Sequence, residues 1–304
     1  MNAKKRYDKL RTDRSQFLEV AREAADLTLP YLIRGEEEYI KGTRVLKTPW
    51  QSVGAKGVVT LASKLMLALL PPQTSFFKLQ LDEAALQEEF PPEVKSELDL
   101  SFSKIERKVN EAISASDDRV VVHQALKHLV VAGNALIFMG KSGLKMYPLN
   151  RYVVDRDGNG NVIEVVCKER INKELLKGVL PESRPNEVSG DNSTVADEVD
   201  IYTHVKRDNN RVIWYQEVNG KPLPNSTGKS PIETNPWLVL RMNYVDGEVY
   251  GRGRVEEFIG DLKSLEGLSQ AMVEGSAAAA KVVFTVSPSS TTKPAVAKSA
   301  VLPT

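Results

Sequence analysis

Residues 124–168, QALKHLVVAGNALIFMGKSGLKMYPLNRYVVDRDGNGNVIEVVCK, change period part-way through. Up to about Ala132 the apolar residues Leu126, Leu129 and Val130 recur at helical spacing, with Asp117 or Asp118 as the expected N-cap. After Gly133 the text breaks into short runs, ALIFMG, LKMYPL, YVVDRD and NVIEVVCK, separated by turn residues. That is strand spacing. Asp157-Gly158-Asn159-Gly160 is a hairpin-turn signal. A helix feeding a set of short antiparallel strands sets the class as α+β.

Upstream the chain is helical. Leu10, Phe17, Leu18, Ala21, Ala24, Ala25 and Leu27 form one stripe over residues 1–28, which Pro30 ends. Residues 31–47 read as a loop. Thr48, Pro49 and Gln51 read as a helix start with Thr48 as cap, and the helix runs to Leu70 before Pro71 and Pro72. Its glycines, Gly54 and Gly57, each cost about 1 kcal/mol relative to Ala, which points to close backbone approach, and its second half is apolar almost all round; the helix is expected to be buried between other elements or between subunits. A further helix covers Pro92 to Ser114, with Val94, Leu98, Phe102, Ile105, Val109 and Ile113 on one stripe.

Downstream, NKELLKGV reads as a short helix and residues 181–199 as a flexible loop. DIYTHVKR and RVIWYQEV read as a hairpin, residues 219–236 as irregular, and WLVLRMN as a strand. A long helix is expected from about Gly253 to Lys281, its stripe running from Val255 to Val273. It ends in the small residues Gly275 to Ala280, suited to close packing. The text after it, VVFTV and then SPSSTTK to LPT, has no closing element and reads as the break-off of a longer parent chain.

Composition narrows function. The chain has 304 residues, 41 Lys plus Arg against 40 Asp plus Glu, and 41% hydrophobic residues. That excludes disorder by composition and argues against a protein that grips nucleic acid by a large basic excess. A single cysteine, Cys167, excludes an internal disulfide framework and suits a reducing compartment. The basic N-terminus lacks the apolar core of a secretory signal. The longest apolar stretch, Val58 to Leu70, is 13 residues with Lys64 inside it. A bilayer span needs roughly 20, so no membrane association is expected. Residues 1–14 carry six Lys/Arg against two Asp, and residues 82–99 seven acids against Lys95. Solvated surface accounts for both runs. Lys4, Lys5, Arg6, Lys9 and Arg11 are nevertheless noted as a cluster able to touch a neighbouring molecule.

Enzyme signatures fail on inspection. Asp155, Asp157, Asn159 and Gly160 open like a calcium loop, but the twelfth position is Val166 rather than Glu. Gly140-Lys141-Ser142 and Gly228-Lys229-Ser230 resemble the end of a P-loop, yet the glycine required earlier is Ala135 in one and Leu223 in the other. Ser142 and Lys145 form an S-x-x-K pair without supporting motifs. His123 and His128 stand on different faces of one helix, not at zinc-pair spacing, and His204 is on a strand. No catalytic residue, metal site or cofactor is expected. The chain reads as a structural or binding protein, not an enzyme.

Several strings, in order, resemble the portal, or head-to-tail connector, proteins of short-tailed bacteriophages of the podovirus type. They are TPWQSVGAKGVVTLASKLMLALLPPQTSFFKL at 48–79, QALKHLVVAGNALIF at 124–138, YPLNRYVVDRDGNGNVIEVV at 147–166, DIYTHV at 200–205 and DGEVYGRGRVEEFIGDLKSLEGL at 246–268. The resemblance implies a phage portal fold: a helical wing with small antiparallel sheets leading into a long stem or channel-side helix. It implies an N-terminal helical arm at 1–47, a wing-type α+β region at 48–250, and at 251–304 a long helix that begins the stem, with the rest of a longer parent chain missing.

It further implies a homo-oligomeric ring, typically a dodecamer, at the portal vertex of the virion, assembled in the host cytoplasm. Double-stranded DNA would pass through its channel in packaging and ejection. The ring would nucleate capsid assembly with major capsid and scaffold proteins and dock the terminase large subunit, the tail adaptor and internal core proteins. A balanced charge suits a channel through which DNA must slide. Lys263 and Lys281, on the long C-terminal helix, are the candidates for DNA contact; against them stands pairing with Glu266 or Glu274. Two rivals remain at this point: a nucleotide-dependent packaging enzyme, supported only by the two GKS tripeptides, and a scaffold or adaptor without a channel.

Overall fold

The computed structural model describes residues 2–33, 47–72, 74–80, 91–172 and 198–281. The expectations for residues 173–179 of NKELLKGV, for residues 181–197 and for the text after Lys281 lie outside these, as do most of residues 31–47 and much of the acidic run 82–99; Asn172, Glu198 and Val199 are strand rather than helix or loop.

The first stripe becomes helix α1 (Ala3–Asp26), capped by the Asn2 side chain, which accepts from Lys5 N. Its inner face buries Tyr7, Leu10, Leu18, Ala21, Ala24 and Ala25. It also buries Arg14, which the apolar pattern did not reveal. The guanidinium Nη1 donates to Tyr7 Oη (3.2 Å), Leu149 O (3.0 Å) and Tyr152 O (2.9 Å). Acceptors gathered around Nη1 offset much of the cost of burying this charge.

Helix α2 spans Val53–Leu69, four residues later than a start at Pro49 would give. Thr48 does not cap it. Gln51 decides the start: its Oε1 accepts from Gly54 N (2.9 Å) while its Nε2 donates to Leu27 O (2.7 Å). A tertiary contact with the end of α1 thus outweighs the local capping pattern. Helix α3 is Pro92–Ala115 and α4 is Asp118–Ala132. Neither Asp117 nor Asp118 caps α4 with its side chain. Asp118 Oδ1 instead accepts from Leu144 N (2.8 Å), tying the helix to the strands that follow. Gly133 ends α4 with φ 72°, the left-handed conformation glycine adopts without strain.

The strands form two antiparallel sheets. In the first, β1 (Asn134–Gly140) lies between β2 (Gly143–Tyr147) and β9 (Trp237–Arg241). The second is the meander β3 (Tyr152–Arg156), β4 (Val162–Asn172), β5 (Glu198–Asp208), β6 (Arg211–Val218) and β7 (Lys221–Pro222), with β8 (Gly228–Pro231) also on β6. The expected turn joins β3 to β4, with Asp157 Oδ1 accepting from Asn159 N and Asn161 N. Residues 219–236, read as irregular, hold β7, β8 and a 3-10 turn at Ile232–Thr234. Gly228 makes this possible: the Trp214 ring crosses it so closely that a Cβ would lie 2.2 Å from Cε2.

After β9 the segment Tyr250 to Gly253 is clamped to the corner between α4 and β1. Asn134 Nδ2 donates to Gly251 O (2.6 Å) and Gly251 N donates to Asn134 Oδ1 (2.8 Å). A 3-10 turn at Val255–Phe258 then leads into α5 (Ile259–Ala279). The last helix therefore starts later than Gly253, because that segment is held in this clamp.

The largest buried cluster joins the parts. Leu136, Leu149, Tyr152 and Cys167 are fully buried between the sheets, α1 and α4, and α2 adds Val58. α2 is not enclosed as expected: only Gly54, Val58 and Ala62 are buried, because it packs on the body by one side alone. The expected stripe of α5 supplies little: Val255 is buried, Ile259 and Leu262 pack at its edge, and no residue of α5 itself is buried. The class is α+β, with a helical face and small antiparallel sheets.

Candidate functional site

Among the described residues, no three His, Cys, Asp or Glu side chains gather where they could hold a metal ion. Gly140-Lys141-Ser142 lies at the β1–β2 turn and Gly228-Lys229-Ser230 lies in β8, so neither forms the strand-to-helix loop that cradles phosphate. Lys145 of the S-x-x-K pair is bonded to Glu169. His128 is buried, and burial pushes its pKa down to about 4. His123 stands 3.4 Å from Ser63 Oγ. Burial also pushes the Cys167 thiol up, away from the reactive thiolate. A cleft of about 270 Å³ lies beside α3. Its Arg119 donates to Leu70 O (2.6 Å) and Pro71 O (2.9 Å), closing the C-terminus of α2.

The densest polar cluster anchors α1. Arg6 pairs with Asp155 (2.7 Å) and Glu164 (2.5 Å), His204 Nε2 meets Glu164 Oε1 (2.5 Å), and Tyr215 Oη meets His204 Nδ1 (3.0 Å). Burial opposes ionisation of Glu164, but the bonds from His204 and Arg6 outweigh it and hold its carboxyl below the ordinary range. Nearby, Ala3 N donates to Glu217 Oε2 (2.8 Å), placing a carboxylate at the positive end of the helix. Arg6 is thereby spent inside the molecule, while Lys4, Lys5, Lys9 and Arg11 of the same basic cluster lie on the exposed side of α1.

The second feature is where α2 and α5 leave the body. Glu266 Oε1 accepts from Trp50 N (2.9 Å) and its Oε2 from Gln51 N (3.4 Å). Gly54 approaches Leu27 so closely that a Cβ would lie 2.7 Å from its carbonyl oxygen. Lys263 pairs with Glu23 on α1 (2.5 Å). These contacts hold the first half of α5. Beyond Ser269 every described residue of the helix is exposed. Leu268 keeps 60% of its surface and Met272 65%. On α3, Leu100, Ile105 and Val109 are likewise exposed. Among the described residues, no helix is long and apolar enough to cross a membrane.

Of the residues singled out for DNA contact, Lys263 is held by Glu23 rather than by the neighbours Glu266 or Glu274. Lys281 follows the end of α5 and is exposed. They lie at opposite ends of α5, so the fold does not bring them together. Sequence reading missed the burial of Arg14 and, though it named Gln51 and Glu266, not the contacts they make with Leu27, Trp50 and each other. Glu266 and Trp50 are 216 positions apart, and no local spacing links them.

The sequence profile of a family described as bacteriophage head to tail connecting protein matches residues 1–301. The portal protein of Escherichia phage T7 is 38% identical over 303 residues, 96% of this chain and 55% of that protein. The portal protein of Enterobacteria phage T3 is 38% identical over 302 residues, with the same coverage of each. That of Enterobacteria phage SP6 is 29% identical over 301 residues, 95% of this chain and 56% of that protein. The chain spans about half the length of the curated relatives it matches.

Proposed function

This chain belongs to the bacteriophage head to tail connecting protein family, and on that footing we propose that it is a subunit of the portal ring at the capsid vertex. The ring forms the channel through which double-stranded DNA is packaged and ejected. On this reading residues 1–47 are an N-terminal helical arm, 48–250 the wing-type region, and 251–304 the start of the stem. The role is structural, with no chemistry of its own. Partners are other copies of the chain, twelve in a closed ring, the major capsid and scaffold proteins, the terminase large subunit, the tail adaptor and internal core proteins. The site of action is the virion, after assembly in the host cytoplasm.

The observation that carries this reading is the collinear match over 96% of the chain to proteins named portal protein. The uncovered apolar faces of α2, α3 and α5 support it, because a ring subunit must leave surfaces for its neighbours. The test is cryo-electron microscopy of the purified protein. Class averages of a ring near twelvefold with a duplex-wide hole are expected; monomers or assemblies without a pore would overturn the reading. Lys263 and Lys281 remain the proposed DNA contacts. Charge reversal at both is expected to lower DNA packaged per particle, and unchanged packaging would remove them from that role.

A further inference from the structure

Arg156 is the last residue of β3 and Arg241 the last of β9, and both reach the turn between β3 and β4. Every nitrogen of the Arg156 guanidinium is bonded. Nε donates to Val249 O (3.0 Å), Nη1 to Gly160 O (2.9 Å) and Nη2 to Val239 O (3.3 Å). Arg241 is held by one side only. Its Nη1 donates to Glu248 O (3.0 Å), and its guanidinium lies 4.1 Å from the centre of the Tyr244 ring. Its Nη2 lies against Gly160, where a Cβ would come within 2.5 Å of it. Nε and Nη2 have no acceptor among the described residues, and neither atom is enclosed. Tyr244 beside them is 53% exposed, so this edge opens at the surface.

Burial, and next the charge of Arg241, push the Arg156 pKa below its ordinary value. The two cations therefore feel each other, yet neither pairs with a carboxylate among the described residues. The acids close in sequence are committed elsewhere. Asp155 binds Arg6, Glu248 binds Arg252, Asp246 accepts from Tyr244 Oη, and Asp157 accepts from the amides of its own turn. Half-buried charges are ordinarily paired. Here the carbonyl oxygens offset part of the cost, and the balance calls for an anion. We propose that Arg241 and Arg156 form a binding site for a phosphate dianion, free or as a monoester. The free edge of Arg241 presents two parallel N–H donors, the fork that a tetrahedral oxyanion accepts from bidentately. Two uncompensated positive charges match the charge of about −1.5 to −2 on such a phosphate better than the single charge of a carboxylate or a diester. Carbonyl bonds and ring stacking fix both guanidiniums before the ligand arrives. The assignment does not depend on the ring reading, so either can fail without the other.

The experiment uses the 304-residue chain. Isothermal titration calorimetry and thermal unfolding compare inorganic phosphate, a nucleoside monophosphate, acetate and chloride at one ionic strength. Phosphate and the monophosphate are expected to bind and to raise the unfolding midpoint, because both bind the folded chain alone. A tighter monophosphate would identify an ester as the source, and equal affinities the free ion. Arg241→Lys keeps the charge but loses the fork, and should weaken phosphate binding about tenfold. Lys64→Gln, an exposed charge on α2, should leave it unchanged. Equal responses to phosphate and chloride would reduce the effect to screening and overturn the site. Acetate as tight as phosphate, or a duplex without terminal phosphates competing equally well, would overturn the dianion assignment. Undiminished binding in Arg241→Lys would overturn the fork.

Discussion

At Gly253 a Cβ would lie 2.3 Å from Val131 O, while at Gly267, one helix later, nothing stands within 4 Å. The first glycine belongs to the body, the second to the helices that leave it. In the body every constraint is internal. Gly133, Gly251 and Gly253 let backbones touch at the α4–β1 corner, Asn134 bonds both sides of Gly251, and Leu136, Leu149 and Tyr152 are fully enclosed. Along α2, α3 and α5 the internal constraints are sparser. Val58 and Ala62 keep one side of α2 on the body and Glu266 and Lys263 hold the first half of α5, while Val53, Leu67, Ile105, Leu268 and Met272 face outward. The body is specified by contacts within the chain; the outer helices carry apolar residues that no described part of the chain covers.

The sharpest way to break this comparison is a matched pair of truncations. Leu136→Ala should destabilise the chain by about 2–5 kcal/mol in urea unfolding, because a fully buried side chain leaves a cavity. Leu268→Ala should cost less than about 0.5 kcal/mol in the unassembled chain. Equal losses would mean that α5 is packed within the chain after all.

A second effect belongs to the body alone. His128 is buried neutral, its pKa lowered from 6.5 to about 4. As pH falls below 6.5 the unfolded chain takes up the proton first, so folding stability declines from there to about pH 4. The expected loss is about 3 kcal/mol. Urea midpoints at pH 7 and pH 4.5 should show this slope in the wild type, and His128→Leu should reduce it. An identical slope in the variant would remove His128 as its source.

The junction between the two regions should give a smaller, local effect. Glu266→Ala removes the acceptor for Trp50 N and Gln51 N and should destabilise the start of α2 by about 1–2 kcal/mol. Amide exchange at these two residues should speed by about tenfold while exchange at Leu136 stays unchanged. Faster exchange throughout would show that the junction is part of the body. The smallest effect is expected at Gly267→Ala, which should stabilise the unassembled chain by at most about 1 kcal/mol, since Ala is the better helix former and the space is open. Destabilisation in a thermal melt would reveal an internal contact there.

What the sequence determined by itself is the part that depends on near neighbours. The periods of residues 3–26, 92–115 and 118–132 gave their helices, and the Asp157 turn and the β5–β6 hairpin stood where turn chemistry put them. The ordered strings carried the family. What the tertiary structure decided are the pairings between distant segments. Thr48 yields to Gln51 as the determinant of α2 because Leu27 O lies within reach. Asp118 bonds Leu144 N instead of capping its own helix. Arg14 is buried because Leu149 O and Tyr152 O receive it. The apolar stripes of 92–115 and 259–279 are genuine helical stripes, yet they are only partly covered: Ile105, Val109, Leu268 and Met272 are exposed, while Leu98, Phe102, Ile113, Ile259 and Leu262 are half-buried. Periodicity reports that a residue shares a helix face with its neighbours, and only the folded chain decides whether that face meets the core, water or another subunit.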